Sequence, residues 1–374
     1  MVQSPVELTQ QLIRFETVNP PGNEQSCAEH LGGLLEEAGF DIAYHAFGEK
    51  RANLIARTGG NSGKPALCFT GHIDTVPLGL QPWSVDPFAA DISGNKLYGR
   101  GSSDMKSGVA AFTIAAIELA GKLKDTPGLE LVITAGEETG CAGAIDLAAK
   151  AGALGNAGAV VVAEPSSNRP WVGHKGALWL KGIASGVTAH GSMPEKGDNA
   201  IYKAARAVSK LEAFDFNVAR HPVLGPPTLN VGTVQGGINI NSVPDRTEFG
   251  IDIRTIPEQD HSRLRGQLVS YLGDEVKLEK IIDVGGVWTD PEAEWMSDVF
   301  AIVADITGVT PAVETATYFT DASVLTPAYG NPPTVILGPG EAEMAHQTDE
   351  YCVVERIDEA VWIYTAIARR WCAI

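Results

Sequence analysis

Short apolar runs that break off at small, glycine-flanked polar clusters recur along this chain. Ala66-Leu67-Cys68-Phe69, Leu131-Val132-Ile133, Ala159-Val160-Val161-Val162 and Thr334-Val335-Ile336-Leu337 have the length and β-branched content of buried strands. Gly71-His72-Ile73-Asp74, Gly136-Glu137-Glu138 and Ala163-Glu164-Pro165 follow the first three, and Ala345-His346-Gln347 follows the fourth across the glycine-rich Leu337-Gly338-Pro339-Gly340. A fifth cluster, Gly101-Ser102-Ser103-Asp104, ends a glycine-rich bend. Helical spacing fills the gaps. Ser4-Pro5-Val6-Glu7 is a capping box with Leu8, Leu12 and Phe15 on one face, and further helices are predicted over 23–38 and 107–120, stopped by Gly39 and Gly121. Strands alternating with helices predict an α/β fold, in which ligands collect beyond the carboxyl ends of the strands.

From Gly176 the pattern changes. Strand 178–184, helix 199–213, strand 228–234, strand 247–254, helix 261–272 and strand 276–283 spell βαββαβ, a ferredoxin-like unit. Within it Thr247, Phe249, Ile251 and Ile253 alternate with Glu248, Asp252 and Arg254, as in a sheet with one wet face. The α/β pattern then returns, with a helix over 292–306, the strand at Thr334 and a closing helix over 354–371. We therefore expect one domain built from residues 1–175 and 286–374, interrupted by an inserted domain over 176–285.

At 374 residues the chain is long enough for two such units. Its 46 acidic against 28 basic residues, a formal charge of -18, disfavour a nucleic-acid or anionic-membrane partner. No apolar run has the length of a membrane span, and the start lacks a secretory leader pattern, so a soluble cytoplasmic protein is expected. Five cysteines without paired spacing read as reduced, packed thiols.

Two imidazoles and several carboxylates at strand ends form a donor set that suits two divalent cations and the activation of water. His72 can face a metal while Asp74 holds its other ring nitrogen. Asp104 reads either as a helix N-cap or as a carboxylate shared between two cations. Successive residues at a strand end point in different directions, so one of Glu137 and Glu138 can bind metal while the other meets water. We expect Glu138 as the ligand and Glu137 as the general base, against the plain reading of two acids on a solvated loop. Glu164, ending the most apolar strand, needs a compensating charge. His346 lies on a loop of the kind that carries function. His190, in Thr188-Ala189-His190-Gly191-Ser192, reads as a turn histidine or as a donor to an oxyanion, and Asn241 and Arg254 suit an amide oxygen or a substrate carboxylate.

These stretches together resemble the metallopeptidase M20 family over nearly the whole chain. The match lies in Gly71-His72-Ile73-Asp74-Thr75-Val76-Pro77, Tyr98-Gly99-Arg100-Gly101-Ser102-Ser103-Asp104-Met105-Lys106, Glu137-Glu138, Ala163-Glu164-Pro165 and the His190 segment. The resemblance implies a zinc-exopeptidase-like α/β/α catalytic domain with an inserted dimerisation or lid domain, and hence a homodimer. It implies two zinc ions, with cobalt or manganese able to replace them: His72, Asp104 and Glu164 hold one, and Asp104, Glu138 and His346 the other. Glu137 would activate water, Asp74 would orient His72, and His190 would reach a neighbouring subunit's site. His174-Lys175-Gly176, Asp252-Ile253-Arg254 and the tail around His346 are similar to the acetylornithine deacetylase branch, which places Lys175 among the substrate contacts beside Asn241 and Arg254. The implied activity is cleavage of the amide of a small N-acyl amino acid. The alternatives are a succinyl-diaminopimelate desuccinylase-like deacylase and a carboxypeptidase or dipeptidase of the same family.

Overall fold

The structure, a computed structural model, describes residues 3–374. The chain forms two compact units: the first takes the chain up to Gly173 with Trp288–Ala316 and Thr320–Ile374, the second His174–Val287 with Thr317–Phe319.

Strands of the larger unit run in the order Asp41–Gly48, Arg51–Thr58, Leu129–Thr134, Ala66–His72, Ala157–Val162, Thr334–Ile336. The last four are mutually parallel, and their register aligns His72 with Thr134, Thr70 with Val162, and Ile336 with Val162. Four carboxyl ends therefore share one rim of the sheet, the place where an open α/β sheet binds its ligands. These strands are apolar on both faces because both are covered, as parallel strands require.

Helices Pro5–Ile13, Gln25–Glu37, Ser107–Leu119, Glu294–Thr307 and Val354–Cys372 close one face over a core that includes Leu8, Leu31, Phe69, Phe112, Val299 and Tyr364. Phe69 stacks on Phe112 at 6.0 Å and meets Tyr364 edge-on at 5.4 Å, which fixes the two central helices against the sheet. Ser4 caps the first helix in the expected box with Glu7. All five cysteines are buried and free.

The hairpin Asp41–Thr58 carries no strand prediction, and the reason is its turn. Gly48 pairs with Arg51, so Glu49-Lys50 makes the connection, with Lys50 at φ 57° where asparagine or glycine is the usual signal.

In the smaller unit Gly176–Ser185, Thr228–Gly236, Arg246–Thr255 and Val276–Val284 form an antiparallel sheet in which the first strand lies between the fourth and the third. With helices Ala200–Glu212 and His261–Leu272 this is the expected βαββαβ order. Phe249, Ile251 and Ile253 alternate inward and pack with Leu178, Leu180, Ala204, Leu211, Leu264 and Leu268. Among the described residues no helix is long and apolar enough to cross a membrane.

Candidate metal centre

The shared rim gathers the polar clusters of the larger unit. His72 is the last residue of its strand, Glu137 and Glu138 follow the neighbouring strand end, and Glu164 stands two residues past Val162. His346 arrives on the loop after Ile336, which presses close to the rim: a Cβ on Gly338 would stand 2.2 Å from the Ala163 carbonyl oxygen, and one on Gly340 2.1 Å from that of Ser103. The buried Tyr364 hydroxyl donates to the Leu337 carbonyl and fixes the start of that loop.

Two groups of ligand atoms result, each within 4.8 Å of one another: His72, Asp104 and Glu164, and Asp104, Glu138 and His346. His72 Nε2 lies 3.2 Å from Asp104 Oδ1 and 3.7 Å from Glu164 Oε1. His346 Nε2 lies 3.0 Å from Glu138 Oε2 and 3.4 Å from Asp104 Oδ2. Asp104 thus offers one oxygen to each group. Ligands around a tetrahedral zinc stand about 3.3 Å apart, so the spacing suits cations of that size.

The site fits such ions on a further count, since Glu138 Oε1 is buried without a hydrogen-bond partner. His72, Asp74, Asp104, Glu137 and Glu164 are all buried, whereas His346 is half exposed. Burial pushes the Glu137 and Glu164 carboxyls well above the usual range, and the neighbouring acids add to it, while His72 draws both down. Burial and Asp104 likewise lift Glu138 to about 7. His72 is held well above an ordinary histidine because Asp104, Glu164 and Asp74 outweigh its burial. His346 rises to about 10 on its bonds to Asp104 and Glu138. These shifts describe one situation, a buried excess of negative charge with two imidazoles to offset it.

Two readings of single residues change. Asp104 caps no helix: its backbone is non-helical, and Lys106 occupies the N-cap of Ser107–Leu119. Nor does the Asp74 carboxylate hold the His72 ring most closely, because Nδ1 pairs with the Asp74 backbone carbonyl at 2.9 Å and the carboxylate lies 3.6 Å away. That carboxylate instead accepts the Glu137 and Glu138 amides at 3.1 and 3.2 Å and the Asn19 side chain at 2.9 Å. Asp74 thereby fixes the backbone from which both glutamates project.

The remaining candidates belong to the smaller unit, each with partners there. His190 is exposed and pairs with the Ser192 hydroxyl at 2.7 Å. Asn241 accepts the Gly191 amide through its backbone carbonyl. Arg254 pairs with Asp252 beneath Trp179, and Lys175 donates to the Pro226 carbonyl. Two buried acids in the larger unit escaped the sequence reading. Asp321 accepts from Thr134 and leaves Oδ1 unpartnered, and burial lifts it to about 6. Glu350 accepts the amides of Gly101, Ser103 and Asp104. In the sequence Glu350 stood out only as part of the tail segment His346-Gln347-Thr348-Asp349-Glu350-Tyr351 that is similar to the acetylornithine deacetylase branch, with no role of its own.

An α/β sheet with histidines and carboxylates gathered at one rim defines a candidate metal-site protein, and comparison with known proteins supplies its class. Residues 68–370 match the model of peptidase family M20/M25/M40. A probable succinyl-diaminopimelate desuccinylase of Staphylococcus epidermidis is 30% identical over 93% of both chains. A succinyl-diaminopimelate desuccinylase of Wolbachia pipientis is 34% identical over 67% of this chain and 64% of its own length. In fold, the chain superposes on an M20 family metallo-carboxypeptidase of Sulfolobus solfataricus with a TM-score of 0.82, 18% identity and full coverage of both chains. A Bacillus subtilis dinuclear metal binding peptidase of the M20 family gives 0.71 at 16% identity, over 99% of this chain and 98% of that one. The chain belongs to peptidase family M20/M25/M40 and is a hydrolase of amide bonds. The curated relatives carry the name of the alternative drawn from the motifs, the desuccinylase, rather than that of the acetylornithine branch.

Proposed function

We propose that this protein is a two-metal deacylase that removes the acyl group of a small N-acyl amino acid, with an N-succinyl amino acid as the first candidate substrate. The observation that carries the metal reading is the pair of ligand groups joined through Asp104, one carboxylate oxygen to each. His72, Asp104 and Glu164 would hold one cation, and Asp104, Glu138 and His346 the other; zinc, cobalt or manganese suits these donors. When bound, the cations would polarise the amide carbonyl and acidify water.

The chain's own residues supply the remainder. Glu137 is buried beside the ligand set and binds neither group, so its carboxylate is free to take a proton from water and return it to the leaving nitrogen. Asp74 keeps that carboxylate in place by accepting the Glu137 amide. His190 would donate to the oxyanion, while Lys175, Asn241 and Arg254 would meet the polar groups of the substrate. Dimerisation through the smaller unit belongs to the same reading.

The succinyl assignment rests on the names of the relatives. An acetyl substrate is the second reading, favoured by the segment from Gly338-Pro339-Gly340 to His346-Gln347-Thr348-Asp349-Glu350-Tyr351. Purified protein assayed on matched N-succinyl, N-acetyl and N-formyl amino acids and glycine-containing dipeptides, alongside metal analysis, separates these. A kcat/KM highest on an N-succinyl amino acid, with two equivalents of metal bound, is expected. Faster dipeptide cleavage would replace the deacylase reading with that of a dipeptidase.

A further inference from the structure

Arg100 and Glu350 are the charged pair the chemistry above leaves unused. Both are fully buried, 1% and 0% exposed, and their side chains meet at 2.6 Å. Burial of this kind is costly unless donors and acceptors find partners; Glu350 comes close to filling all its acceptor positions, while Arg100 leaves only Nε unpartnered. Oε2 takes Arg100 Nη1 and the Gly101 amide at 2.9 Å; Oε1 takes the Ser103 and Asp104 amides at 2.9 and 3.0 Å. Its backbone carbonyl takes the Gly99 amide, and the Ser103 hydroxyl donates to the carbonyl of Tyr351. The loop that ends in Asp104 is thus held along its length by a side chain 246 residues away.

Arg100 extends the same network. Nη1 also reaches the Gln347 carbonyl and Nη2 the Pro77 carbonyl, both at 3.3 Å. Its guanidinium lies 5.1 Å from the Trp83 ring, and Trp83 donates to the Leu78 carbonyl. Three loops therefore converge on one ion pair, and each carries or directly follows a candidate ligand: His72 ends the strand five residues before Pro77, Asp104 follows Arg100 by four, and His346 adjoins Gln347. A second tie, from the Ser84 amide to the Asp349 carboxylate at 2.8 Å, joins the first loop to the third. Because Glu350 takes the backbone amides, the Asp104 carboxylate remains free to turn one oxygen to each ligand group.

We propose that Arg100 and Glu350 form a positioning pair that sets the affinity of the metal centre by fixing the spacing of its three ligand loops. The proposal rests on the metal reading given above. Neither residue belongs to either group of candidate ligands. An isosteric Glu350→Gln change must aim an NH2 group at N–H donors whichever way it turns. Arg100→Lys keeps the charge but loses the fork that reaches Gln347 and Pro77 together.

The test is titration of chelator-stripped protein with Co²⁺, followed by visible absorption and metal counting, well below each variant's Tm as measured in the stripped state. Wild type should take two equivalents. Glu350→Gln should bind both at least tenfold more weakly. The milder Arg100→Lys should bind one equivalent within threefold of wild type and lose at least tenfold on the other, in the group that includes His346. A pair that serves stability alone would lower Tm and leave both affinities within threefold of wild type, and that result overturns the proposal while the metal reading stands. Wild type taking up no Co²⁺ overturns both.

Discussion

In the larger unit, residues separated by as many as 274 positions, from His72 to His346, meet at one sheet rim with most of their side chains buried and their charges unbalanced. In the smaller unit, His190 and Asn241 are exposed and Arg254 and Lys175 are already engaged by near neighbours. The first arrangement is costly without a cation and is held by backbone bonds; the second costs little and is satisfied as it stands. The candidate metal ligands thus stand on a pinned backbone, whereas the candidates of the smaller unit stand on side chains that can re-pair.

The sharpest way to break this contrast is Glu137→Gln. We expect turnover to fall by about 10² to 10⁴ with both metal equivalents retained; a drop of less than threefold would place the general base elsewhere. Next comes His190→Ala, for which loss of one oxyanion donor predicts a fall in kcat of about 10² with little change in KM. An unaltered kcat would leave His190 as a turn residue paired with Ser192 and confine the chemistry to the larger unit.

The smallest effect tests whether the second unit has a buried titrating group of its own. Burial holds the His174 ring neutral, with its pKa lowered to about 4. The unfolded chain takes up a proton near pH 6.5 while the folded one does not, so stability is full above that pH and declines as pH falls towards 4. The loss between pH 7.5 and pH 5 should be on the order of 2 kcal/mol, read as a Tm decrease that is absent in His174→Gln. A wild type and variant with parallel pH profiles would show that the ring titrates as it does in water.

What was legible in the sequence follows the same divide between local and distant causes. Periodicity and caps gave the first helix, the parallel strands and the βαββαβ unit, because each depends on neighbours within a few residues. Of the candidate ligands, His72, Glu138 and Glu164 stood out because a polar group just past an apolar strand conflicts with its surroundings, whereas Asp104 and His346 lie on glycine-rich loops and stood out only beside the others. Asp321 and Glu350 were not legible, since each acts on a partner far away in sequence, Thr134 and the Gly101–Asp104 amides, and neither interrupts an apolar run. The role of Asp74 was half legible. Its proximity to His72 is local, while its grip on Glu137 and Glu138 spans 63 and 64 residues.

The strand Thr334–Ile336 pairs along Ala157–Val162 in the interior of the large sheet, yet it is synthesised after the whole inserted unit. On the ribosome, Ala157–Val162 therefore offers an unpaired apolar edge for the time taken to translate more than 170 further residues, while the smaller unit has all its own strands and can fold. A smaller unit that folds as it emerges would leave the growing chain with one finished module and an open half-sheet, an edge closed only when Thr334–Ile336 is made.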